Sequence, residues 1–360
     1  MTSVNKTFII AEAGVNHNGS MTLARELIDA AVSAGADAVK FQSFVASSLV
    51  TPNANKAEYQ ITNTGTTESQ LEMLQKLELS QPQQRELYDY CQRQNIQFLS
   101  TPFDLASLEF LTTDLGLETI KIGSGELTNA PFLYEVARST KKIILSTGMS
   151  TIAEISEALG VIAFAMINDL SQSPTSSSIV AALTNPEGKM AIQTRVTLLH
   201  CTTDYPTKPG DVNLSAMLTL HEKFGCQIGF SDHSVGVHIA VAAVAMGATI
   251  IEKHLTTNRE LPGPDHRASL EPQEFKTLVN QIREVEHALG DGEKTPTEVE
   301  IKNRKIARRS LVAAQSIKAG EIFTPYNITT KRPGTGRSPI EYWALLGTKA
   351  TREIAENEII

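Results

Sequence analysis

The chain has 360 residues, of which 41% are hydrophobic and 20% are charged, as in a globular protein with a large core and more than one domain. The formal net charge of −8 argues against a nucleic-acid surface, and no apolar run approaches the roughly 18 residues that span a membrane. The sequence shows no secretion signal, and its three cysteines are widely spaced without a CxxC pair. We therefore expect a cytoplasmic protein with reduced thiols.

Short β-rich runs alternate with helical patterns from residue 8 to about residue 289. They predict eight strands, over residues 8–14, 38–44, 96–103, 119–125, 142–148, 196–202, 227–233 and 249–255. Apolar residues at three- and four-residue spacing predict helices between them, for example over 22–35 and 236–247. Eight such units favour a (β/α)8 TIM barrel. A doubly wound open sheet is the alternative, but no GxGxxG motif follows the first strand.

Two segments interrupt the alternation, and the texture changes after residue 290. Residues 45–80 form a long polar excursion of the kind that serves as a lid or binding loop. The Ser/Thr/Pro-rich residues 171–190 predict a mobile surface loop that is dispensable for activity. We predict a catalytic barrel over 1–290, a charged and partly helical linker over 291–308, and a small domain over 309–360. Because about 50 residues is small for an independent core, we expect that domain to lean on the barrel or on a second subunit.

Polar residues recur where the predicted strands end. Most of the eight strands carry one there, and in a barrel the carboxyl ends of the strands carry the functional site. These residues are Glu12, Lys40, Gln42, Ser100, Thr101, Lys121, Ser124, Glu126, Ser146, Thr147, His200, Thr202, Ser231, His233, Glu252 and His254.

A pair of histidines points to a metal. His233 and His254 are one β/α unit apart, so they should lie on adjacent strands about 5 Å apart. Two neutral imidazoles at that spacing suit a divalent cation, Mn²⁺ first and Mg²⁺ or Co²⁺ as alternatives, and leave positions open for water and substrate. His200 could be a third ligand, but we favour a hydrogen-bonded core histidine there.

Two lysines lie inside apolar runs. Lys40 and Lys121, together with nearby hydroxyl groups and glycine-flanked amides, provide what a phosphate or carboxylate ligand requires. The alternative is that both lysines form internal salt bridges with Glu12 and Glu126. Cys201 has only His200 as a basic neighbour, so we do not assign it as a nucleophile.

The motifs taken together resemble the sialic acid synthase family, and within it the bacterial N-acetylneuraminate synthases. They run in order over nearly the whole chain: AEAGVNHNG, KFQ, STPF, KIGSGE, LSTGM, LLHCT, GFSDHS, EKH, PGPDH and KRPGTG. The resemblance implies a (β/α)8 barrel followed by an antifreeze-like SAF domain, assembled as a domain-swapped homodimer. It also implies that phosphoenolpyruvate condenses with N-acetylmannosamine and water to give N-acetylneuraminate and phosphate.

The resemblance further implies a role for each matching residue. His233 and His254 hold the metal, and Glu12 lies beside the phosphoenolpyruvate site. Glu126, Tyr205 and Asp265 contact the amino-sugar, and Arg332 of the KRPGTG motif reaches its acetamido group from the partner subunit. Thr203 stands where some members of the family have an asparagine that contacts phosphoenolpyruvate. This chain therefore departs from the family pattern at that contact. The residues implied to bind the phosphate and carboxylate are Lys40, Lys121, Thr101, Ser124, Ser146 and Ser231.

In this mechanism the metal is a Lewis acid on the sugar aldehyde, Glu126 handles a proton, and the lysines stabilise the leaving phosphate. An enzymatic alternative is the same condensation on a 2,4-diacetamido-hexose, giving legionaminic acid or a related nonulosonate. A non-enzymatic alternative is a sugar- or ice-binding protein built on the SAF domain, which would not need two strand-end histidines.

Overall fold

A computed structural model of the chain describes residues 6–64, 68–168 and 172–360. Within these residues no helix is both long and apolar enough to cross a membrane. The chain divides into two compact units, residues up to Gly290 and residues from Asp291 onward.

The first unit is built on eight parallel strands. They pair in the order β3-β2-β1-β8-β7-β6-β5-β4, and the two end strands lie against each other, so the sheet closes almost completely into a barrel. This confirms the predicted (β/α)8 fold. The strands are β1 (Phe8–Gly14), β2 (Ala38–Ser43), β3 (Gln97–Pro102), β4 (Thr119–Ile122), β5 (Lys142–Ser146), β6 (Val196–Cys201), β7 (Gln227–Asp232) and β8 (Ile250–His254).

Helices connect the strands on the outside of the barrel. α6 continues into a π-helical turn over Phe110–Asp114, and short 3₁₀ helices cover Ser124–Glu126 and His266–Ala268. The helices of the first unit are α1 (Met21–Ala34), α2 (Ala46–Leu49), α3 (Glu58–Thr64), α4 (Gln70–Leu77), α5 (Gln81–Gln94), α6 (Leu105–Glu109), α7 (Ala130–Ser139), α8 (Ile152–Ile167), α9 (Ser176–Thr184), α10 (Pro186–Arg195), α11 (Pro209–Val212), α12 (Ser215–Phe224), α13 (His238–Ala245) and α14 (Pro272–Leu289).

Local sequence signals account for the helix ends. The Ser20 side chain caps α1 by accepting from the Leu23 amide, and Gly35 ends that helix at a φ of 83°, where a side chain would be strained. At the start of α8, Thr151 and Glu154 accept from each other's amides in a capping box. The apolar faces of these helices then pack on the sheet and form one large core outside the barrel wall.

The barrel interior is layered. A lower layer is apolar and comprises Ile10, Ala38, Leu99, Ile144, Leu199 and Ile250. Side chains two residues apart on a strand share a face, so the next inward position on each of these strands lies one layer higher. In that layer stand Glu12, Lys40, Thr101, Ser146, Cys201 and Glu252. The floor is therefore closed by hydrocarbon, and the polar groups face the carboxyl-terminal end.

The prediction of a loop over 171–190 is wrong from residue 176 onward, whereas residues 172–175 are exposed and have no regular structure. Residues 176–184 and 186–195 are helices α9 and α10, and residue 171 lies outside the described residues. A Cβ on Gly160 of α8 would lie 2.7 Å from the Cγ2 atom of Ile179, so the two helices pack closely. Ala182 and Ile192 are buried in the main core. Removal of the segment would expose the core surface that these side chains cover, and its dispensability for activity stays a prediction.

The 45–80 excursion also contains helices, namely α2, α3 and α4. The side chains of Phe44, Ala46, Met73 and Leu77 form a small apolar cluster beneath them. The Asn63 amide donates to the Pro264 carbonyl oxygen at 2.6 Å, which ties α3 to the loop after β8. The excursion thus has its own packing and covers one side of the barrel mouth.

The second unit comprises helix α15 (Glu298–Ala307), strands β9 (Ser310–Ala313) and β10 (Ile328–Lys331), and helix α16 (Tyr342–Leu345). β9 and β10 are antiparallel, and isolated bridges such as Ile317 with Ile354 extend the structure. The unit buries a small apolar core of its own, and the expectation that it leans on the barrel or on a second subunit stays a prediction. That core comprises Leu311, Ala313, Ile317, Phe323, Ile328, Leu345, Ala350 and Ile354.

Candidate active site

A cavity of about 350 Å³ opens at the carboxyl-terminal end of the barrel strands. Its size is in the range that suits small-molecule ligands. All the site residues that the sequence predicts in the barrel, except Thr203, line this cavity. These are Glu12, Lys40, Thr101, Lys121, Ser124, Glu126, Ser146, Tyr205, Ser231, His233, His254 and Asp265.

The two lysines are paired with buried carboxylates. Lys40 Nζ lies 2.5 Å from Glu12 Oε2 and 3.6 Å from Glu252 Oε2, and Lys121 Nζ lies 3.5 Å from Glu252 Oε1. The internal salt bridges that we kept as an alternative therefore exist, but Glu252 takes the place expected for Glu126. The lysine charges are tolerated in the core because carboxylates of the protein itself balance them in part.

Burial and neighbouring charges set different pKa values for the two carboxyls. Burial raises the pKa of Glu12 to about 7, although the Lys40 ammonium acts in the opposite direction. Burial acts to raise the pKa of Glu252 as well, but Lys121 and Lys40 outweigh it and hold that pKa at about 2. The neighbouring lysines therefore favour the charge on Glu252, whereas burial disfavours the charge on Glu12. Because the carboxyl groups offset the two lysine charges only in part, an anionic ligand can bind beside the lysines.

Hydroxyl groups surround this charged centre. Lys40 Nζ donates to Thr101 Oγ1 at 3.1 Å, and Ser231 Oγ donates to Glu252 Oε1 at 2.7 Å. Ser124 Oγ lies 3.4 Å from Thr203 Oγ1, so the unusual Thr203 stands directly behind a lining residue.

Gly148 follows β5 at a crowded point. A Cβ there would lie 2.6 Å from Thr203 Oγ1 and 2.9 Å from Cys201 Sγ, so any side chain would displace the groups behind the cavity wall. Burial raises the pKa of the Cys201 thiol, which agrees with the choice not to assign it as a nucleophile.

The two histidines lie side by side, as predicted, with ring centroids 5.5 Å apart. His233 Nδ1 donates to the Thr202 carbonyl oxygen at 2.7 Å, so its Nε2 carries the lone pair. His254 Nδ1 is buried and has no hydrogen-bond partner among the described residues. Burial lowers the pKa of His233 to about 4 and that of His254 well below its usual value, so both rings are neutral at pH 7.

Neutral imidazoles with an unpartnered buried nitrogen fit a divalent cation, which needs deprotonated ligands. In the described part of the chain, no group of three or more His, Cys, Asp and Glu side chains could hold a metal ion. The candidate donor set is thus two imidazoles with further positions open. His200 Nε2 bonds to the Val212 carbonyl oxygen at 2.6 Å, which matches the favoured core role.

Tyr205 connects the histidines to the 45–80 excursion. Its ring centroid lies 4.1 Å from that of His233 and 4.8 Å from that of Tyr59 on α3. Asp265 faces the same region, and burial raises its pKa from the usual 3.8 to about 6. Glu126 is half-buried at the cavity edge, where its Oε2 accepts from the Asn129 amide at 2.7 Å.

Reasoning from the sequence missed some lining residues. Glu252 was noted at a strand end but given no role, although its position two residues before His254 was the available signal. Tyr59 carried no signal, because its segment shows no strand or long helix pattern. Arg332 lies directly after β10, in the second unit, and is exposed.

The closed parallel barrel and its polar cavity define a (β/α)8-barrel protein with a site where enzymes of this fold carry theirs. Residues 27–294 match the NeuB family and residues 308–360 match the SAF domain. The chain belongs to the NeuB family, which confirms the resemblance stated above.

Relatives over the full length support this assignment. The chain is 48% identical to the N,N'-diacetyllegionaminic acid synthase of Campylobacter jejuni over 99% of both proteins. It is 41% identical to the N,N'-diacetyllegionaminic acid synthase of Legionella pneumophila, over 97% of this chain and 91% of that protein. The crystal structure of N-acetylneuraminic acid synthetase from Leptospira borgpetersenii, in complex with citrate, matches with a TM-score of 0.65 and 34% identity, over 83% of this chain and 90% of that one.

Proposed function

We propose that the protein condenses phosphoenolpyruvate with a 2,4-diacetamido-hexose and water to give a diacetamido nonulosonate of the legionaminic acid type and phosphate. The observation that carries this proposal is the 48% identity to an N,N'-diacetyllegionaminic acid synthase over 99% of both chains. The comparisons favour this alternative over our first expectation of N-acetylmannosamine, because identity to the N-acetylneuraminic acid synthetase is 34%.

The wall of the cavity gives physical support for such an acceptor. Leu49, Met73, Leu74 and Leu77 from α2 and α4 line one side. An apolar wall favours methyl groups over hydroxyl groups, which would lose hydrogen bonds to water there. A second acetamido group brings a methyl group, whereas N-acetylmannosamine carries a hydroxyl group at that carbon.

The charged centre would bind phosphoenolpyruvate. Glu252 faces both Lys40 and Lys121, and burial disfavours the charge on Glu12, the other carboxyl group beside Lys40. Ser124 and Ser146 add hydroxyl donors at the same wall. Phosphate and carboxylate groups are recognised by such a combination of ammonium groups and neutral donors. On this proposal the two lysines also stabilise negative charge on the phosphate as it leaves.

We propose that His233 and His254 hold the divalent cation, with Mn²⁺ as the first candidate and Mg²⁺ or Co²⁺ as alternatives. When bound, the ion would supply Lewis acidity toward the carbonyl oxygen of the open-chain sugar. Chelation with EDTA should abolish turnover, and added Mn²⁺ should restore it. His254→Ala should weaken Mn²⁺ binding at least about tenfold, because it removes one of two protein ligands. Full activity in excess EDTA would contradict the proposal.

The chemistry joins the methylene carbon of phosphoenolpyruvate to the sugar aldehyde carbon. Water then adds at C2, the C2–O bond to phosphate breaks, and the 2-keto acid forms. Glu126 is the proposed proton carrier for the attacking water or a sugar hydroxyl group, because its carboxylate stands at the cavity edge. Tyr205 and Asp265 would contact the sugar from the side of the barrel mouth that α3 covers.

The assembly and location belong to the same proposal. We propose a domain-swapped homodimer in which the exposed Arg332 of one chain reaches the sugar in its partner's cavity. We also propose a cytoplasmic location, which the three free, buried cysteines support.

The test is a substrate panel assayed with phosphoenolpyruvate and Mn²⁺, following phosphate release and product mass. The panel contains N-acetylmannosamine and 2,4-diacetamido-hexoses of different configurations. We expect kcat/KM for one diacetamido sugar to exceed that for N-acetylmannosamine at least about tenfold, the scale of one lost apolar group in a fitted pocket. Preference for N-acetylmannosamine would restore the first expectation, and no phosphate release with any sugar would refute the reaction class.

A further inference from the structure

A second charged pair lies directly behind the two histidines. Lys253 Nζ donates to Asp232 Oδ2 at 2.8 Å, and both side chains are completely buried. Lys253 Nζ also donates to the Ser234 carbonyl oxygen at 2.5 Å. Asp232 Oδ1 accepts from the Ser234 amide at 2.8 Å and from its hydroxyl group at 2.6 Å. These bonds form a closed network around the ends of β7 and β8.

The strand register places this network opposite the candidate metal ligands. Asp232 pairs with Lys253 across β7 and β8, and each residue directly precedes one of the histidines. Successive side chains of a strand point to opposite faces. Asp232 and Lys253 therefore occupy the outer face of the barrel wall, whereas His233 and His254 enter the cavity.

The network fixes the backbone on both sides of His233. Asp232 precedes that histidine and Ser234 follows it, and Lys253 binds both of them while it directly precedes His254. Neither imidazole can then shift along its strand without breaking a buried hydrogen bond. His254 depends on this constraint more than His233 does, because its Nδ1 lacks the hydrogen bond that orients the other ring.

Stability alone gives a poor account of such a pair. Taking a lysine and an aspartate fully out of water costs free energy that their attraction often fails to recover, and apolar replacements are frequently as stable. We propose that Asp232 and Lys253 are positioning residues that set the separation and orientation of His233 and His254 for the divalent cation. This inference rests on the proposed function.

The test measures Mn²⁺ affinity of the full-length protein by electron paramagnetic resonance of the free ion, independently of activity. The principal variant is the double substitution Asp232→Asn with Lys253→Met, which removes both charges and leaves no unpaired ion in the core. We expect it to bind Mn²⁺ about 10- to 100-fold more weakly than the wild type, the usual effect of losing support behind a metal ligand. Affinity within twofold of the wild type would overturn the proposal.

A matched control separates positioning from general stability. Asp37 Oδ2 lies 2.7 Å from Arg283 Nη2 in a separate ion pair that is only partly buried. The same carboxyl group accepts a hydrogen bond from the Ile9 amide near the start of β1. Asp37→Asn should lower the melting temperature yet leave Mn²⁺ affinity within twofold. If it weakened Mn²⁺ binding as much as the double variant does, loss of stability would explain both results and the proposal would fail.

Ser234→Ala keeps the test decisive if the double variant does not fold. It removes one hydroxyl group from the network, and we expect a several-fold loss of Mn²⁺ affinity with an unchanged far-ultraviolet spectrum. Unchanged affinity would overturn the proposal. If the wild type binds none of Mn²⁺, Co²⁺ and Mg²⁺, the metal site of the proposed function fails, and the positioning role fails with it.

Discussion

Asp265 provides a quantitative test of the electrostatics at the cavity. Burial raises its pKa from 3.8 to about 6, so the folded protein holds this proton more tightly than the unfolded chain does. Ionising Asp265 therefore destabilises the fold as pH rises. The full penalty is about 2 pKa units, which corresponds to about 3 kcal/mol.

The sign follows from the order of the two pKa values. Well below pH 3.8 both states are protonated, and the carboxyl group adds no pH-dependent penalty. Between the two values the unfolded chain loses the proton first. The penalty is about 1 kcal/mol at pH 4.5 and reaches about 3 kcal/mol at pH 8, above both values.

Asp265→Asn removes the ionisation and keeps the shape. The difference in unfolding free energy between variant and wild type should thus rise by about 2 kcal/mol in favour of the variant from pH 4.5 to pH 8. Urea unfolding followed by far-ultraviolet circular dichroism measures it. The fluorescence of the single tryptophan, Trp343, would report on the second unit instead.

The control is Asp89→Asn, which removes an exposed carboxyl group on α5. Its effect should stay within about 0.5 kcal/mol at both pH values, as for ordinary surface changes. If Asp265→Asn gives a pH-independent difference, the carboxyl group is not desolvated in the folded protein and the reasoning fails.

Three further predictions concern catalysis, assembly and packing. Glu126→Gln should fold and bind phosphoenolpyruvate while kcat falls about 10²-fold or more, and near-normal kcat in phosphate-release assays would make Glu126 structural. Arg332→Ala should raise the KM for the amino-sugar far more than that for phosphoenolpyruvate. Subunit exchange between the Arg332→Ala and Glu126→Gln variants should give heterodimers with up to about half of the activity of a wild-type dimer. In such a heterodimer one site carries both defects and the other carries neither. No recovery despite exchange proven by mass spectrometry would place the arginine in its own chain's site. Gly188→Ala should lower the melting temperature by several degrees, because its Cβ would overlap the Ala182 carbonyl oxygen. The control Gly210→Ala should leave the melting temperature unchanged, because a Cβ there meets nothing within 4 Å. Equal melting temperatures of the two variants would refute the packing of α9 on α10.

The sequence alone determined the barrel and most of the cavity lining. Alternation along each strand fixes which side chains point inward, and parallel strands end at the same side of a barrel, so local patterns placed Lys40, Ser146 and His254 in one cavity. The spacing of His233 and His254 by one β/α unit likewise fixed their contact, since consecutive strands of such a barrel are neighbours.

Only the tertiary structure decided how the charges pair and which surface segments pack. Lys121 and Glu252 lie on β4 and β8, far apart in sequence, and their 3.5 Å approach across the barrel depends on its curvature and on side-chain reach. The Ser/Thr-rich residues before β6 have the composition of a loop, yet a capping box at Thr175 and the packing of Ile179 against Gly160 of α8 favour a helix. Local composition indicates the conformation that a segment prefers when it is exposed to water. Packing against a distant segment removes it from water, and the free energy of that contact depends on both segments together.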